Sequence, residues 1–88
     1  MKISNAKAKD YTTDRKVFKG NNLFSEEFNG VYVVYSYGHH HPLFVYKDGV
    51  WYENEEKRSV TTSKHRNQAR PYAVTKLVSM EEIKSIAN

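Results

Sequence analysis

Leu23-Phe24-Ser25-Glu26-Glu27-Phe28-Asn29-Gly30-Val31-Tyr32-Val33-Val34-Tyr35-Ser36-Tyr37 decides how this chain folds. Asn-Gly between two apolar runs is the preferred pair for a two-residue type I′ turn, because both central residues need positive φ. A turn of that length sets the register: Phe28 faces Val31, Glu26 faces Val33 and Phe24 faces Tyr35. Phe24, Phe28, Val31, Val33 and Tyr35 then share one face at period two, which predicts a buried face interrupted only by Glu26. Tyr32, Val34 and Ser36 lie on the opposite face.

The same signal recurs further along. Leu43-Phe44-Val45-Tyr46-Lys47 runs into Asp48-Gly49 and then Val50-Trp51-Tyr52-Glu53, a second type I′ hairpin that pairs Tyr46 with Trp51 and Val45 with Tyr52. Between the hairpins, Gly38-His39-His40-His41-Pro42 reads as a loop, since Pro42 has no N–H to pair. The prediction is a four-stranded antiparallel meander over residues 23–28, 31–37, 43–47 and 50–53. Residues 54–57 read as a turn and 58–61 as a short strand. Thr62 or Ser63 is expected to cap a short polar helix that Pro71 ends. Residues 75–78 read as a last strand. Ser79-Met80-Glu81-Glu82 has the spacing of a capping box and opens a terminal helix through Ala87, with Met80, Ile83 and Ile86/Ala87 on one face. Leu77 and Ile83 or Ile86 are expected to cover the buried face of the first hairpin. Residues 7–16 have room for a short helix but lack an apolar stripe to support one, and residues 1–8 are expected to be loose or weakly docked. The fold class is α+β, one domain over residues 1–88.

Composition narrows the classes. Seven Tyr, four Phe and one Trp among 88 residues suit a small core, since each ring buries roughly 150–250 Å². The chain has no Cys, which excludes a disulfide framework and a thiolate metal site and favours a reducing cytoplasm. No apolar run approaches the about 20 residues of a membrane span, and the N-terminus does not read as a signal peptide. The net charge of +4 is unevenly placed. Lys57, Arg58, Lys64, Arg66, Arg70 and Lys76 fall in residues 57–80 without one acid, while the flanking segments are each slightly acidic. Such a block is a footprint for an anionic partner, or a solvated face.

Motifs for catalysis are missing. The sequence contains no nucleophile elbow, phosphate-binding glycine loop or His-Glu-x-x-His. His41 or His65 with Glu26 or Glu53 would serve acid–base chemistry, but no spacing brings such a pair together. His39-His40-His41 point to alternate sides in extended chain and make a poor single metal site. Residues 59–71 are almost free of apolar side chains yet lie between elements that must pack. Two readings fit them. Their hydroxyls, cations and helix N-terminus suit phosphate, Asn67 and Gln68 suit base edges, and Tyr35, Tyr37, Trp51 and Tyr52 suit base stacking if exposed. Alternatively Thr61, Thr62, His65 and Arg70 form an internal polar network that ties the helix to the sheet.

Val33-Val34-Tyr35-Ser36-Tyr37-Gly38, His41-Pro42-Leu43, Trp51-Tyr52-Glu53-Asn54, Lys57, Ser59, Thr61-Thr62-Ser63-Lys64-His65 and Gln68-Ala69-Arg70-Pro71 together resemble a family of small proteins from bacteriophages and other mobile elements. The likeness covers about residues 31–71. Family members often carry an aromatic at the position of His40 and a Tyr near Arg58. The resemblance implies a phage or prophage source, hence the cytoplasm of an infected or lysogenic bacterium, and no activity. By analogy alone, small phage proteins bind host factors, nucleic acid or defence complexes.

The expectation is a non-enzymatic accessory protein with no metal or cofactor. A basic polar surface of Lys57, Arg58, Lys64, His65, Arg66, Gln68 and Arg70, bordered by Tyr37 and His41, binds nucleic acid or a nucleic-acid-bound host or defence complex. The alternative is an inhibitor that grips a host protein through exposed aromatics of the sheet.

Overall fold

Both predicted hairpins form, with both central residues of each turn in the left-handed region: Asn29 at φ 50° and Gly30 at 78°, Asp48 at 53° and Gly49 at 79°. The computed structural model describes residues 3–39, 41–56 and 60–87, with the side chains of 60–63 outside that description. The strands are β1 (Leu23–Phe28), β2 (Val31–Ser36), β3 (Pro42–Lys47), β4 (Val50–Asn54) and β5 (Thr75–Val78); the helices are α1 (Ala8–Thr13), α2 (Val60–Ala69) and α3 (Met80–Ala87). The fold is α+β. The strands make one sheet in the order β1-β2-β3-β4-β5. The registers Phe28–Val31, Phe24–Tyr35, Tyr46–Trp51 and Val45–Tyr52 are those the turns dictate.

The fifth strand changes the architecture. After β4 the chain crosses one face of the sheet as α2 and returns to run alongside β4 in the same direction, Trp51 beside Thr75 and Asn54 beside Val78. A crossover through a helix is what parallel neighbours require, so the sheet is mixed and five-stranded rather than a four-stranded antiparallel meander. Val60 and Thr61 belong to α2 and not to a strand, so the helix begins before Thr62 and Ser63. The remainder of the strand expected over 58–61 lies outside the described residues.

The sheet is covered on both faces, and every residue of β2 is buried. On one face α3 packs on β3, β4 and β2. There Val31, Val33, Tyr35, Val45 and Val78 meet Ile83 and Ala87. On the other, Tyr32, Val34, Leu43, Phe44 and Trp51 meet Ala8, Phe18 and Ala69. A bulge contributes here: Val34 pairs with Phe44 and Tyr35 with Pro42, skipping Leu43. The extra residue lets Leu43 and Phe44 join the same cluster.

Three expectations about packing are corrected. Phe28 is exposed, because α3 stops short of β1 and leaves the end of that strand uncovered. Leu77 is also exposed. It lies in register with Glu53, on the face of α2 and beyond the reach of that helix, not on the face of α3. The N-terminal segment is firmly docked over its described part, neither loose nor weakly held. Ile3 N–H donates to the Lys19 carbonyl, the Asn5 amide exchanges two hydrogen bonds with the backbone of Asn21, and Ala8 and Thr12 are fully buried. Ala8 and Thr12, an i, i+4 pair of small residues, seat α1 together with Tyr11, whose ring packs on Phe18, so the helix has no stripe of large aliphatic residues.

Candidate functional site

Trp51 is buried, and Glu53 lies two residues on along β4, so its carboxylate points to the same face, under α2. A buried carboxylate needs cations and hydrogen bonds. Arg70 supplies both as a two-pronged clamp, Nη1 to Oε1 at 2.6 Å and Nη2 to Oε2 at 2.9 Å. Thr75 Oγ1 donates to Oε1 at 2.6 Å, and Arg66 Nε stands 3.7 Å from Oε2. Burial pushes the Glu53 carboxyl up, but the Arg70 and Thr75 hydrogen bonds and the charges of Arg70 and Arg66 outweigh it and hold the group below its ordinary value. Arg66 and Arg70, the latter one residue past the end of α2, are four apart, which puts both on the side that faces the sheet. Arg66 also donates to the Asn54 carbonyl, and the Arg70 guanidinium lies over the Phe44 ring.

Asn54 extends the network. Its amide donates to the Pro42 carbonyl at 2.8 Å and to Met80 Sδ at 3.2 Å, and its side-chain oxygen accepts from Glu56 N–H. At the end of β2, Ser36 Oγ and His65 Nδ1 are 2.9 Å apart. Burial, and then the nearby Lys64 charge, lower the pKa of His65. A serine–histidine contact invites a catalytic reading, but the Ser36 side chain is wholly inaccessible, so no substrate reaches its oxygen.

Beside this pair the backbone takes an unusual path. Tyr37 has φ 68°, and Gly38 N–H donates to the Ser36 carbonyl at 2.8 Å. That is a three-residue γ-turn of the rarer, strained hand, at a bulky residue that resists positive φ. Tyr37 N–H is held by the Asn22 carbonyl. The turn projects the Tyr37 ring outward, 54% exposed, with its inner side against the His65 ring at 5.4 Å between centroids. Exposed Lys64 adjoins His65 in the chain.

The residues expected to form a basic surface therefore separate. Arg66, Arg70, His65 and His41 turn inward: His65 and His41 are buried, and both arginines are committed to Glu53. This overturns the expectation that Arg66 and Arg70 lie on an open phosphate-binding face. Gln68 is half-buried. Lys64 and Tyr37 remain at the surface. Lys57 and Arg58 lie outside the described residues, as does His40. The aromatics proposed as stacking platforms are also mostly internal: Tyr35 and Trp51 are buried and Tyr52 is half-buried. Glu53, Asn54 and Ser36 were missed as organising residues. The alternation from Trp51 was the available signal, since an acid two places after a buried indole faces inward and demands a cation.

Elsewhere, Val17, Phe18, Lys19, Phe24, Ser25, Glu26 and His39 line a shallow groove of about 470 Å³ along β1. Its Glu26 and His39 are paired with each other at 2.9 Å. Among the described residues no three His, Asp or Glu side chains converge as metal ligands, and no helix is long and apolar enough to cross a membrane.

Fold and site together define a small mixed-sheet protein whose second helix is pinned by a buried carboxylate–arginine network. Residues 6–84 match the model of a family of unknown function (DUF8033), and the chain belongs to that family. No curated protein and no solved structure matches it.

Proposed function

We propose that the protein is a non-enzymatic binding module, a small accessory protein of the phage type, that engages a host protein through the corner where Tyr37 protrudes. The observation that carries this reading is the strained, exposed Tyr37 held against His65. Backbone strain at a bulky residue persists only where its surroundings enforce it, and such positions cluster at functional sites. A rigid, half-exposed tyrosine is also the kind of anchor that dominates protein interfaces. The inward turn of His65, Arg66 and Arg70 weighs the same way, because it removes two of the cations and the one histidine of α2 that a phosphate surface would have used.

Nucleic acid, or a host machine bound to it, is the second reading. Exposed Lys64, the chain neighbour of the His65 that the exposed Tyr37 ring packs on, favours it, since cations and stacking rings are the two components of single-strand binding. Tyr37→Gly and Lys64→Glu separate the two. Glycine accepts the positive φ, so Tyr37→Gly is expected to fold with unchanged or higher thermal stability and to lose the partner. If a protein partner is held by Tyr37, binding survives Lys64→Glu and changes little between about 50 and 200 mM salt, whereas phosphate-driven binding falls steeply over that range. Full binding by Tyr37→Gly overturns both readings of this corner.

A further inference from the structure

β5 is the open edge of the sheet. One side pairs with β4, and among the described residues no strand pairs with the other. The Val78 carbonyl accepts from Glu55 N–H on the β4 side. By the alternation of an extended chain, Thr75 and Leu77 turn their backbone N–H and C=O groups outward. The side chains along this edge are unusually apolar for a surface: Tyr72 is 69%, Val74 94% and Leu77 62% exposed. Natural proteins blunt open edges because they recruit other strands. Here the only charge on the strand itself is exposed Lys76.

We infer that this edge pairs with the same edge of a second copy of the chain, antiparallel about a two-fold axis at Leu77. Charge placement selects this occupant. The approach to β5 is basic, with Lys9 over the Tyr72 ring and Lys76 on the strand. The exit is acidic, with exposed Glu55, Glu81 and Glu82. Antiparallel copies bring the basic end of each toward the acidic end of the other, whereas parallel copies oppose like charges. The register follows from the same rule. Centring on Lys76 would set two lysines face to face. Centring on Leu77 pairs outward-turned backbone groups, sets Leu77 against its twin, Lys76 against Val78 and Thr75 against Ser79, and lays Val74 toward Met80. Such an interface is isologous and closed, so it stops at two copies. A four-residue edge falls short of the about 800 Å² per partner of stable complexes, so the dimer is a concentration-dependent one.

The chain has no Cys, so a single introduced thiol reports on one position alone. Light scattering on the purified protein is expected to show the mass rising toward twice the monomer with concentration. Leu77→Lys, checked for folding by circular dichroism, is expected to weaken the self-association at least about tenfold, as loss of a central anchor does. Under mild oxidation, Leu77→Cys is expected to form a disulfide-linked dimer much faster than Val17→Cys, an equally exposed site beside the opposite edge of the sheet. A protein that stays monomeric at every concentration, with the two cysteine variants cross-linking equally slowly, overturns the inference. So does a dimer that Leu77→Lys leaves intact. Neither result touches the Tyr37 corner, which is tested with partner present.

Discussion

The two faces of the sheet are covered in opposite ways. α3 is attached by apolar side chains: Ile83 and Ala87 are buried among Val31, Val33, Tyr35, Val45 and Val78, with Met80 and Ile86 at the margin. α2 has no apolar stripe. Among its described side chains Ala69 is the only buried apolar one, and the helix is held by His65 on Ser36, Arg66 on Asn54 and Arg70 on Glu53. The difference teaches that a helix with a solvent-like composition can still be internal, provided the side chains it turns inward, here His65, Arg66 and Arg70, meet partners on the sheet. It also means that the two attachments respond to different stresses, since charge networks answer to protonation and apolar contacts do not.

The largest expected effect is on the apolar side. Ile83→Ala removes a fully inaccessible side chain and is expected to destabilise toward the top of the range of about 2–5 kcal/mol for such truncations, read from denaturant unfolding. Glu53→Gln follows. It leaves Arg66 buried and Arg70 partly buried without a counter-charge, and because Arg70 recovers water at its exposed side the cost is set near the low end, about 3 kcal/mol. A loss below that of an ordinary surface change would break the comparison, showing that α2 is held by something other than its network.

Acid should sharpen the contrast. Glu53 has a lowered folded pKa, so its contribution is present above the ordinary carboxylate range and lost as pH falls through the lowered value. His65 is also lowered from 6.5. The unfolded chain therefore takes up a proton that the folded chain refuses, and stability declines as pH drops below 6.5 toward the lowered value. Both signs agree: amide exchange in α2 is expected to accelerate on acidification before that in α3, and His65→Asn is expected to flatten the first part of the decline. Equal acceleration in both helices would contradict this.

Ser36→Ala strands His65 Nδ1 and is expected to cost about 1–3 kcal/mol, the penalty of an unpaired buried polar atom. The smallest effect is at the uncovered end of β1. Phe28→Ala is expected to cost less than about 1 kcal/mol, as changes at exposed positions do. A loss as large as that of Ile83→Ala would mean that something covers Phe28.

Much of the sheet was legible because turn chemistry and side-chain alternation act locally. Asn29-Gly30 and Asp48-Gly49 set four strands and their registers without reference to the rest of the chain. The cover of those strands was less legible, since it depends on where α3 ends relative to β1, and that is why Phe28 was misplaced. Along the chain the polar block fits a ligand surface as well as an internal network, because cations without nearby acids in sequence look uncompensated. Their acid is Glu53, 13 residues before Arg66 and 17 before Arg70. Charge balance was struck in space and not along the chain. The notion of an internal network was right in kind for His65 and Arg70.

The crossover between β4 and β5 has a consequence for the order of events in folding. The three meander pairings close over two tight turns and one short loop, and cost little loop entropy. The parallel pairing of β5 waits on a connection of 20 residues that includes α2. The meander is therefore expected to assemble in the transition state and the C-terminal third to dock after it. Gly30→Ala, strained at its positive φ, should act mainly by slowing folding, and Thr75→Ala mainly by speeding unfolding. Stopped-flow chevrons with the two effects reversed would place the arginine clamp, not the hairpins, at the nucleus.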